Sequence, residues 1–181
     1  MTLKQLHSIP QKSSGFTLLE LMVAIAIVAI LAAVAFGSLN TLVPRYQVKS
    51  AAQDLRSDLQ RVKMEAVKSN QEALITFDKA DAGSQGGYTT CINNDGNQIC
   101  DEAQGDVILA QKTFTANNYK HALLKNPGFT NGEHFKFNSR GIPVQDDGSY
   151  FSSGSVEIEN GKDSNYTLSI TVSPSGRIRI D

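Results

Sequence analysis

The sequence predicts an α+β fold in which one long N-terminal helix packs against an antiparallel β-sheet head. Three observations support this prediction. An uninterrupted apolar run extends from Leu21 to Phe36, an amphipathic helical pattern follows it, and from Ala73 onward short β-branched and aromatic segments alternate with turn residues. A chain of 181 residues has room for one domain of ordinary size and an extra segment. Large multidomain proteins are therefore excluded.

The apolar run is long enough to cross a membrane. No charged residue lies between Glu20 and Arg45, a stretch of about 24 residues, and a bilayer core requires roughly 20 helical residues. A cleaved secretory signal is the competing interpretation, but its apolar region is about 7 to 15 residues long and ends at a small-residue site. No such site follows the run before Pro44. Because the preceding charges are Lys4 and Lys12, we expect a cytoplasmic N-terminus and a body on the other side of the membrane.

The second half of the predicted helix has one apolar face. Its apolar residues recur at intervals of three and four, and charged residues occupy the remaining faces, which we interpret as a solvated surface. The helix is expected to extend from about Phe16 to Asn70, with Pro44 able to kink it. The apolar positions are Val48, Ala52, Leu55, Leu59, Val62 and Ala66.

The residues after the helix predict seven strands in one sheet, which buries its apolar face against the amphipathic helix. Glycine, asparagine, aspartate and serine separate the strands and indicate turns. The predicted strands are Ala73–Phe77, Tyr88–Ile92, Asp106–Thr113, Glu133–Phe137, Ser155–Glu159, Tyr166–Val172 and Arg177–Ile180.

Two cysteines flank a predicted turn. Cys91 and Cys100 enclose eight residues with Asp95-Gly96 near the centre, which favours a disulfide-closed hairpin loop in an oxidising compartment. A calcium loop is the alternative, but its first ligand position holds Cys91 where an aspartate is required. Two cysteines are also too few for structural zinc, so neither a metal nor a cofactor is expected. The side chains that resemble calcium ligands are Asn93, Asp95, Asn97 and Glu102.

No motif predicts catalysis. The three histidines, His7, His121 and His134, belong to no recognisable nucleophile or metal motif, and no glycine-rich phosphate loop is present. The formal net charge of -1 lacks the excess of positive charge that would indicate a nucleic-acid-binding protein. We therefore expect a protein that is not an enzyme and whose charged contacts, if any, are local.

The C-terminus predicts a β-hairpin. Ser173-Pro174-Ser175-Gly176 suits a type I turn between two strictly alternating segments. Alternation places Arg177 and Arg179 on the face opposite Ile178, with their Cα atoms roughly 6.8 Å apart. That distance is close to the phosphate spacing of a nucleic-acid strand, so the two guanidinium groups are spaced to hold successive phosphates.

A simpler interpretation competes with this one: the two arginines form the charged solvent face of an edge strand and block aggregation. Spacing alone favours this interpretation. Removal of the first 15 residues would also change the net charge from -1 to -3, because Lys4 and Lys12 are lost with them. Only a local patch can therefore bind DNA, and the further basic candidates for it are Lys162, Lys136 and Arg140.

The junction before the apolar run resembles the class III signal of type IV pilins and pseudopilins. It reads Gly15-Phe16-Thr17-Leu18-Leu19-Glu20 after a short basic leader. The resemblance implies that a prepilin peptidase cuts after Gly15 and methylates Phe16. It also implies that Glu20 pairs with the amino terminus of a neighbouring subunit, which suits a carboxylate that costs about 2.5 to 3.5 kcal/mol at a bilayer centre. Alternatively, Glu20 reaches the lipid headgroups.

Nearly the whole chain resembles the FimT and GspH family of minor pilins and pseudopilins. The likeness lies in the leader and helix, the Asn-Asp-Gly-Asn loop, Phe137-Asn138-Ser139-Arg140-Gly141, and the closing Ser-Gly-Arg-Ile-Arg. It implies the type IV pilin fold. In FimT-type members a Gly-Arg-x-Arg motif is implicated in binding DNA during natural transformation, and Gly176, Arg177 and Arg179 match it.

The resemblance predicts a FimT-like minor pilin that enters a pilus and binds the DNA backbone without sequence specificity. Its partners would be the prepilin peptidase, other major and minor pilins, DNA, and the bacterial inner membrane before assembly. A GspH-like pseudopilin of a type II secretion system and a ligand-free subunit that primes pilus assembly remain alternatives. The predicted divisions are a leader at 1–15, a transmembrane helix at 16–39, an amphipathic helix at 40–72 and a β-rich head at 73–181.

Overall fold

The structure, a computed structural model, describes residues 15–94, 96–129 and 132–181, and at 36–38 it describes the backbone alone. The predicted leader therefore lies outside the described residues, except for Gly15. The chain divides into two compact units, Met1–Asn40 and Thr41–Asp181.

One α-helix, α1, extends over Leu18–Ser69. The prediction of about Phe16–Asn70 is therefore correct to within two residues. Asn70 ends the helix in the left-handed conformation with φ 55°, which asparagine tolerates better than most residues. The amide of Gln71 then donates to the carbonyl of Ala66 at 3.2 Å, a pairing that satisfies one of the free carbonyls of the last turn.

In the described part of the chain, nine strands follow the helix and form two antiparallel sheets. The first sheet has the order β3-β2-β1-β5-β6, and the second has the order β4-β7-β8-β9. The strands β4 and β9 are therefore the edges of the second sheet. The bounds are β1 Ala73–Asp78, β2 Gly87–Ile92, β3 Val107–Thr113, β4 Ala122–Gly128, β5 His134–Phe137, β6 Pro143–Val144, β7 Gly154–Asn160, β8 Asp163–Val172 and β9 Ile178–Ile180.

The predictions of a single sheet and of seven strands are wrong. Strand β4 is absent from the predicted strands, because Asn126 and Pro127 in it are typical of turns. Asn126 has a positive φ of 45°, and the pairing register with β7 shifts between Lys125 and Gly128. An edge strand tolerates such an irregularity and a proline, since its outer backbone groups need no partner strand. The two-residue strand β6 is too short to show any alternation.

The amphipathic half of α1 supplies one wall of the hydrophobic core. Every apolar position predicted for that face is fully buried, and Ala51 joins it. Side chains of both sheets belong to the same buried cluster. The predicted packing of this helix face on the β-rich head is therefore confirmed, although the head consists of two sheets. The buried helix residues are Val48, Ala51, Ala52, Leu55, Leu59, Val62 and Ala66.

An aromatic cluster joins the two sheets. The ring of Phe129, which follows β4, stacks on Phe77 of β1 at 5.1 Å and on Phe135 of β5 at 4.7 Å between ring centroids. Gly154 of β7 makes room for it, since a Cβ atom there would lie 2.0 Å from the Phe129 ring. The close contact between the second sheet and Phe129 therefore depends on a glycine at this position.

The unit Thr41–Asp181 has the properties of an independent domain. The buried cluster extends from Val48 to Ile178 and lies entirely within this unit, as does the one disulfide found among the described residues. A domain with its own hydrophobic core is able to fold by itself. This fragment is therefore suitable for solution experiments without the apolar N-terminal segment.

Candidate functional site

The predicted processing junction lies at the start of α1. Phe16 is 83% exposed, and Gly15 has open space around it, with no atom within 4 Å of where a Cβ atom would lie. The hydroxyl of Thr17 accepts a hydrogen bond from the backbone amide of Glu20 at 3.2 Å and so caps the helix. The sequence analysis missed this role of Thr17, although Thr-x-x-Glu before an apolar run is the signature of a capping box.

Glu20 occupies the first turn of α1, where a negative charge interacts favourably with the helix dipole. The apolar window that includes it, Leu18–Ala35, has a mean hydropathy of 2.8, and none of it is buried. By length and composition this window can cross a membrane. The pairing of Glu20 with a neighbouring subunit remains a prediction.

The predicted disulfide is present between Cys91 and Cys100. Asp106, only 6% exposed, holds both ends of the loop that the disulfide closes, because its carboxylate accepts from the amides of Asn94 at 2.8 Å and Asp101 at 3.1 Å. Asn93 also serves the loop internally, since its side chain accepts from the amide of Gly96 at 2.8 Å. These side chains therefore hold the loop in shape by hydrogen bonds to its backbone.

Among residues 15–94, 96–129 and 132–181, no group of three or more histidine, cysteine, aspartate or glutamate side chains is placed to hold a metal ion. Asp95, one of the residues that resemble calcium ligands, lies outside the described residues.

Replacing Cys91 and Cys100 together by alanine is expected to lower the free energy of unfolding by roughly 2 to 3 kcal/mol, because a loop of about ten residues is no longer closed in the unfolded chain. Urea unfolding of the Thr41–Asp181 fragment, followed by circular dichroism, measures the change. Adding a reductant to the parent fragment should produce a similar loss. An unchanged midpoint in the double variant would contradict the prediction.

The terminal hairpin has the predicted turn. The amide of Gly176 donates to the carbonyl of Ser173 at 2.8 Å, which closes the turn between β8 and β9. Gly176 has a positive φ of 73°, and a Cβ atom there would lie 2.8 Å from the carbonyl oxygen of Gly141 and 3.0 Å from Nζ of Lys63. Both the backbone conformation and the lack of space therefore require glycine.

The two motif arginines lie on either side of a buried isoleucine. Ile178 is 6% exposed, whereas Arg177 and Arg179 are exposed. Arg177 lies between the turn and β9, which begins at Ile178, so the predicted strand Arg177–Ile180 is one residue too long. Arg179 lies 3.8 Å from the carboxylate of Asp181, with both side chains about half exposed. Such an exposed pair contributes little stability and is readily exchanged for another anion.

Two of the three additional basic candidates do not join the arginines. Lys136 is 3% exposed, and its Nζ lies 3.8 Å from Glu72 and 3.9 Å from Asp146, so it is unavailable to a ligand. Lys162 precedes β8, whereas Arg177 follows it, and the ten residues of that strand separate them by about 30 Å. The sequence left open whether these two lysines join the arginines, and the structure places both away from them.

Arg140 does lie near the hairpin. It is exposed and precedes Gly141, whose carbonyl approaches the turn at Gly176.

Two basic residues of α1 that were not predicted as site residues lie beside the turn. Nζ of Lys63 donates to the carbonyl of Gly176 at 2.9 Å. Lys63 and the exposed Arg56 line a cleft of about 480 Å³ together with Arg177. Their spacing of seven residues, or two helical turns, places them on one flank of the helix and was a usable signal. We call this the helix–hairpin cleft, lined by Arg56, Gln60, Lys63, Met64, Gly176, Arg177 and Ile178.

The opposite flank of α1 carries acidic residues that the head already binds. The hydroxyl of Tyr88 donates to Asp58 at 2.7 Å, and Nζ of Lys112 lies 3.0 Å from the same carboxylate. Tyr119 donates to Asp54 in the same way. Burial, followed by the hydrogen bond to Asp58, raises the pKa of Tyr88 above its ordinary value, and burial and Asp54 do the same to the pKa of Tyr119. Both phenols therefore remain protonated donors at neutral pH.

Two family models match the chain. Residues 10–36 match the prokaryotic N-terminal methylation motif, and residues 51–176 match the family described as type II transport protein GspH. The second match ends at Gly176, so Arg177 and Arg179 lie beyond it. A comparison with curated protein sequences finds no match.

Solved structures that are similar to this chain include two minor subunits. The type IV minor pilin FimU of Pseudomonas aeruginosa is 17% identical, with a TM-score of 0.51 over 76% of this chain and 90% of FimU. The minor pseudopilin EpsH of the Vibrio cholerae type 2 secretion system is also 17% identical, with a TM-score of 0.45 over 75% of this chain and 96% of EpsH. The fold, a long N-terminal helix followed by antiparallel sheets, is the type IV pilin fold.

The methylation motif implies processing by a prepilin peptidase and partnership with other pilins, and with the apolar helix it suggests anchoring in the inner membrane. Together with the GspH match over more than half of the chain, it shows that this protein belongs to the GspH and FimT family of minor type IV pilins and pseudopilins.

Proposed function

We propose that the protein is a FimT-like minor pilin that joins a type IV pilus through α1 and binds the DNA backbone through Arg177 and Arg179 during DNA uptake. The observation that carries the proposal is the terminal hairpin, in which two exposed arginines lie on either side of the buried Ile178. Guanidinium groups bind phosphate with two parallel hydrogen bonds, and phosphate contacts carry no base information. Binding is therefore expected to be independent of sequence.

The hairpin turn supports this role because it holds Arg177 in place. Gly176, which precedes Arg177, is bound by Lys63 and confined by the carbonyl of Gly141. The hydroxyl of Ser173 also accepts from the amide of Arg177 at 3.1 Å. A guanidinium group on a restrained backbone loses less conformational freedom when it binds phosphate than one on a mobile tail.

In the competing interpretation, the two arginines only keep an edge strand charged. The position of β9 at the edge of the second sheet is compatible with it. A charged edge needs only exposed cations, whatever their distance from other cations. The proximity of Arg177 to Arg56 and Lys63 is not required for that purpose and favours an anion-binding role.

The arginine pair is tested by replacing Arg177 and Arg179 by alanine in the Thr41–Asp181 fragment and titrating with a short DNA duplex by NMR. We expect chemical-shift changes at the hairpin in the parent and their loss in the variant. The two arginines alone are expected to contribute about 2 to the slope of the log–log dependence of affinity on salt, since each phosphate contact releases about one counterion. In the matched control, alanine replaces Lys120 and Lys162, which are exposed lysines distant from the turn. This variant should bind DNA like the parent. Absence of shifts in the folded parent at low salt would exclude DNA binding by this domain.

A GspH-like pseudopilin of a type II secretion system is the second candidate, and the GspH match over residues 51–176 favours it. In that case the partners would be sister pseudopilins and exported proteins. Deleting the gene distinguishes the two functions, because loss of DNA uptake with normal secretion supports the pilin and loss of secretion supports the pseudopilin. A subunit that only primes pilus assembly would reduce pilus number without binding DNA.

The predicted arrangement in the cell follows from the same proposal. The N-terminus would lie in the cytoplasm and the head in the periplasm until the subunit enters the filament, with Glu20 pairing with the amino terminus of a neighbouring Phe16. The positively charged leader, with Lys4 and Lys12, supports this orientation.

A further inference from the structure

We propose that the helix–hairpin cleft binds a DNA backbone phosphate through Arg56 and Lys63 of α1 together with Arg177. This inference rests on the proposed function, because it takes the same ligand. It adds two helix residues that belong to no motif and that lie more than a hundred positions from the hairpin in the sequence. The DNA-binding surface would then extend from the terminal hairpin onto the amphipathic half of the helix.

The charges in the cleft are not neutralised. Within residues 15–94, 96–129 and 132–181, no carboxylate lies within 4.0 Å of the cationic group of Arg56, Lys63 or Arg177. Lys112 of β3, by contrast, pairs with two aspartates on the other flank of α1. Like charges that line one cleft repel each other, and an anion between them relieves that repulsion.

The geometry suits a phosphate group. Arg56 and Lys63 are two helical turns apart, about 10 Å along the axis, on the same flank. One N–H of the Lys63 ammonium is used by the carbonyl of Gly176, and within the described chain the other two have no partner. Arg56 is exposed, so its guanidinium group is free to turn towards a phosphate with two parallel donors.

The acidic residues of α1 do not oppose binding, because they occupy the other flank. Asp58 is bound by Tyr88 and Lys112, and Asp54 is bound by Tyr119, which directs both carboxylates towards the first sheet. The flank of the amphipathic helix that faces the cleft therefore has unpaired cations, whereas Asp54 and Asp58 on the other flank are paired. That one-sided distribution explains how a chain with a formal net charge of -1 can attract DNA at one place.

The test compares Arg56→Gln with Arg61→Gln in the whole chain in a non-ionic detergent, using fluorescence anisotropy of a labelled DNA duplex over a series of salt concentrations. Arg61 is the matched control, because it is an exposed, unpaired arginine of the described part of α1, and five helical positions rotate it by about 140° from Arg56. Both variants remove one positive charge and disturb no described ion pair. The Arg177→Ala/Arg179→Ala variant is measured beside them.

We expect Arg56→Gln to weaken binding roughly tenfold at about 50 mM salt and to lower the slope of the log–log salt dependence by about 0.9, whereas Arg61→Gln should match the parent. Parent-like binding by Arg56→Gln, together with loss of binding in Arg177→Ala/Arg179→Ala, would overturn the cleft proposal and leave the proposed function intact. Absence of binding by the parent at low salt would overturn both. Equal losses in Arg56→Gln and Arg61→Gln would also overturn the cleft, since they would indicate only a response to overall charge.

Discussion

Replacing Phe135 by alanine is expected to lower the free energy of unfolding by about 3 to 5 kcal/mol, because it removes a large buried side chain and leaves a cavity. The ring is 1% exposed and lies at the centre of the aromatic cluster. Its centroid is 4.7 Å from that of Phe129 and 5.2 Å from that of Phe137. Since single domains are stable by only about 5 to 15 kcal/mol, this one substitution would remove a large part of the total.

Urea unfolding of the Thr41–Asp181 fragment measures the effect, and Tyr150→Ala is the matched control. Tyr150 is also aromatic and follows the same β5–β6 region in the chain, but it is 97% exposed, so its truncation should change the free energy of unfolding by less than about 0.5 kcal/mol. Similar losses in the two variants would show that the aromatic cluster does not hold the two sheets together.

Replacing Gly15 by valine is expected to abolish cleavage, so that the chain keeps its leader and Phe16 receives no methyl group. The structure offers no reason within the chain for glycine at this position. A Cβ atom there would meet nothing within 4 Å, and the backbone is not in the left-handed region. We therefore attribute the expected requirement for glycine to the peptidase, because a residue without a Cβ atom leaves the peptide bond open to close approach.

Intact-mass spectrometry of the protein from cells that contain the peptidase measures this result, since cleavage removes 15 residues. Gly83→Val is the matched control, because a Cβ atom at Gly83 also meets nothing within 4 Å and its φ is not positive. We expect normal processing of that variant. Cleaved, methylated Gly15→Val protein would show that the peptidase does not read this glycine and would separate this chain from the behaviour that its methylation motif implies.

The helix and most strands follow from the sequence because their signals are local. Periodicity at three and four residues predicted which face of α1 is buried, and six of its apolar positions are fully buried in the structure. The short spacing of Cys91 and Cys100 likewise predicted their disulfide. Strand β4 was not predicted, because Asn126 and Pro127 are residues typical of turns. Its position at the edge of a sheet allows those residues in a strand.

The candidate DNA site likewise has one part that the sequence predicts and another that only the fold shows. A contiguous motif made Gly176, Arg177 and Arg179 visible in the sequence, and the turn geometry gives the physical reason for the glycine. The spacing of Arg56 and Lys63 indicates that they share a flank of α1, but their position beside Arg177 could not be predicted. Alternation along a strand states which side chains share a face and not which helix lies beside them.

Sequence alone therefore determined the family, the apolar helix, the amphipathic face and the arginine motif, all of which are patterns within short stretches of chain. Only the tertiary structure decided that the head has two sheets, that Lys136 is buried, that Lys162 lies at the far end of β8, and that Arg56 and Lys63 meet the hairpin. These facts depend on pairings between distant segments, whose register and neighbours are set by packing of the whole core and not by any local preference.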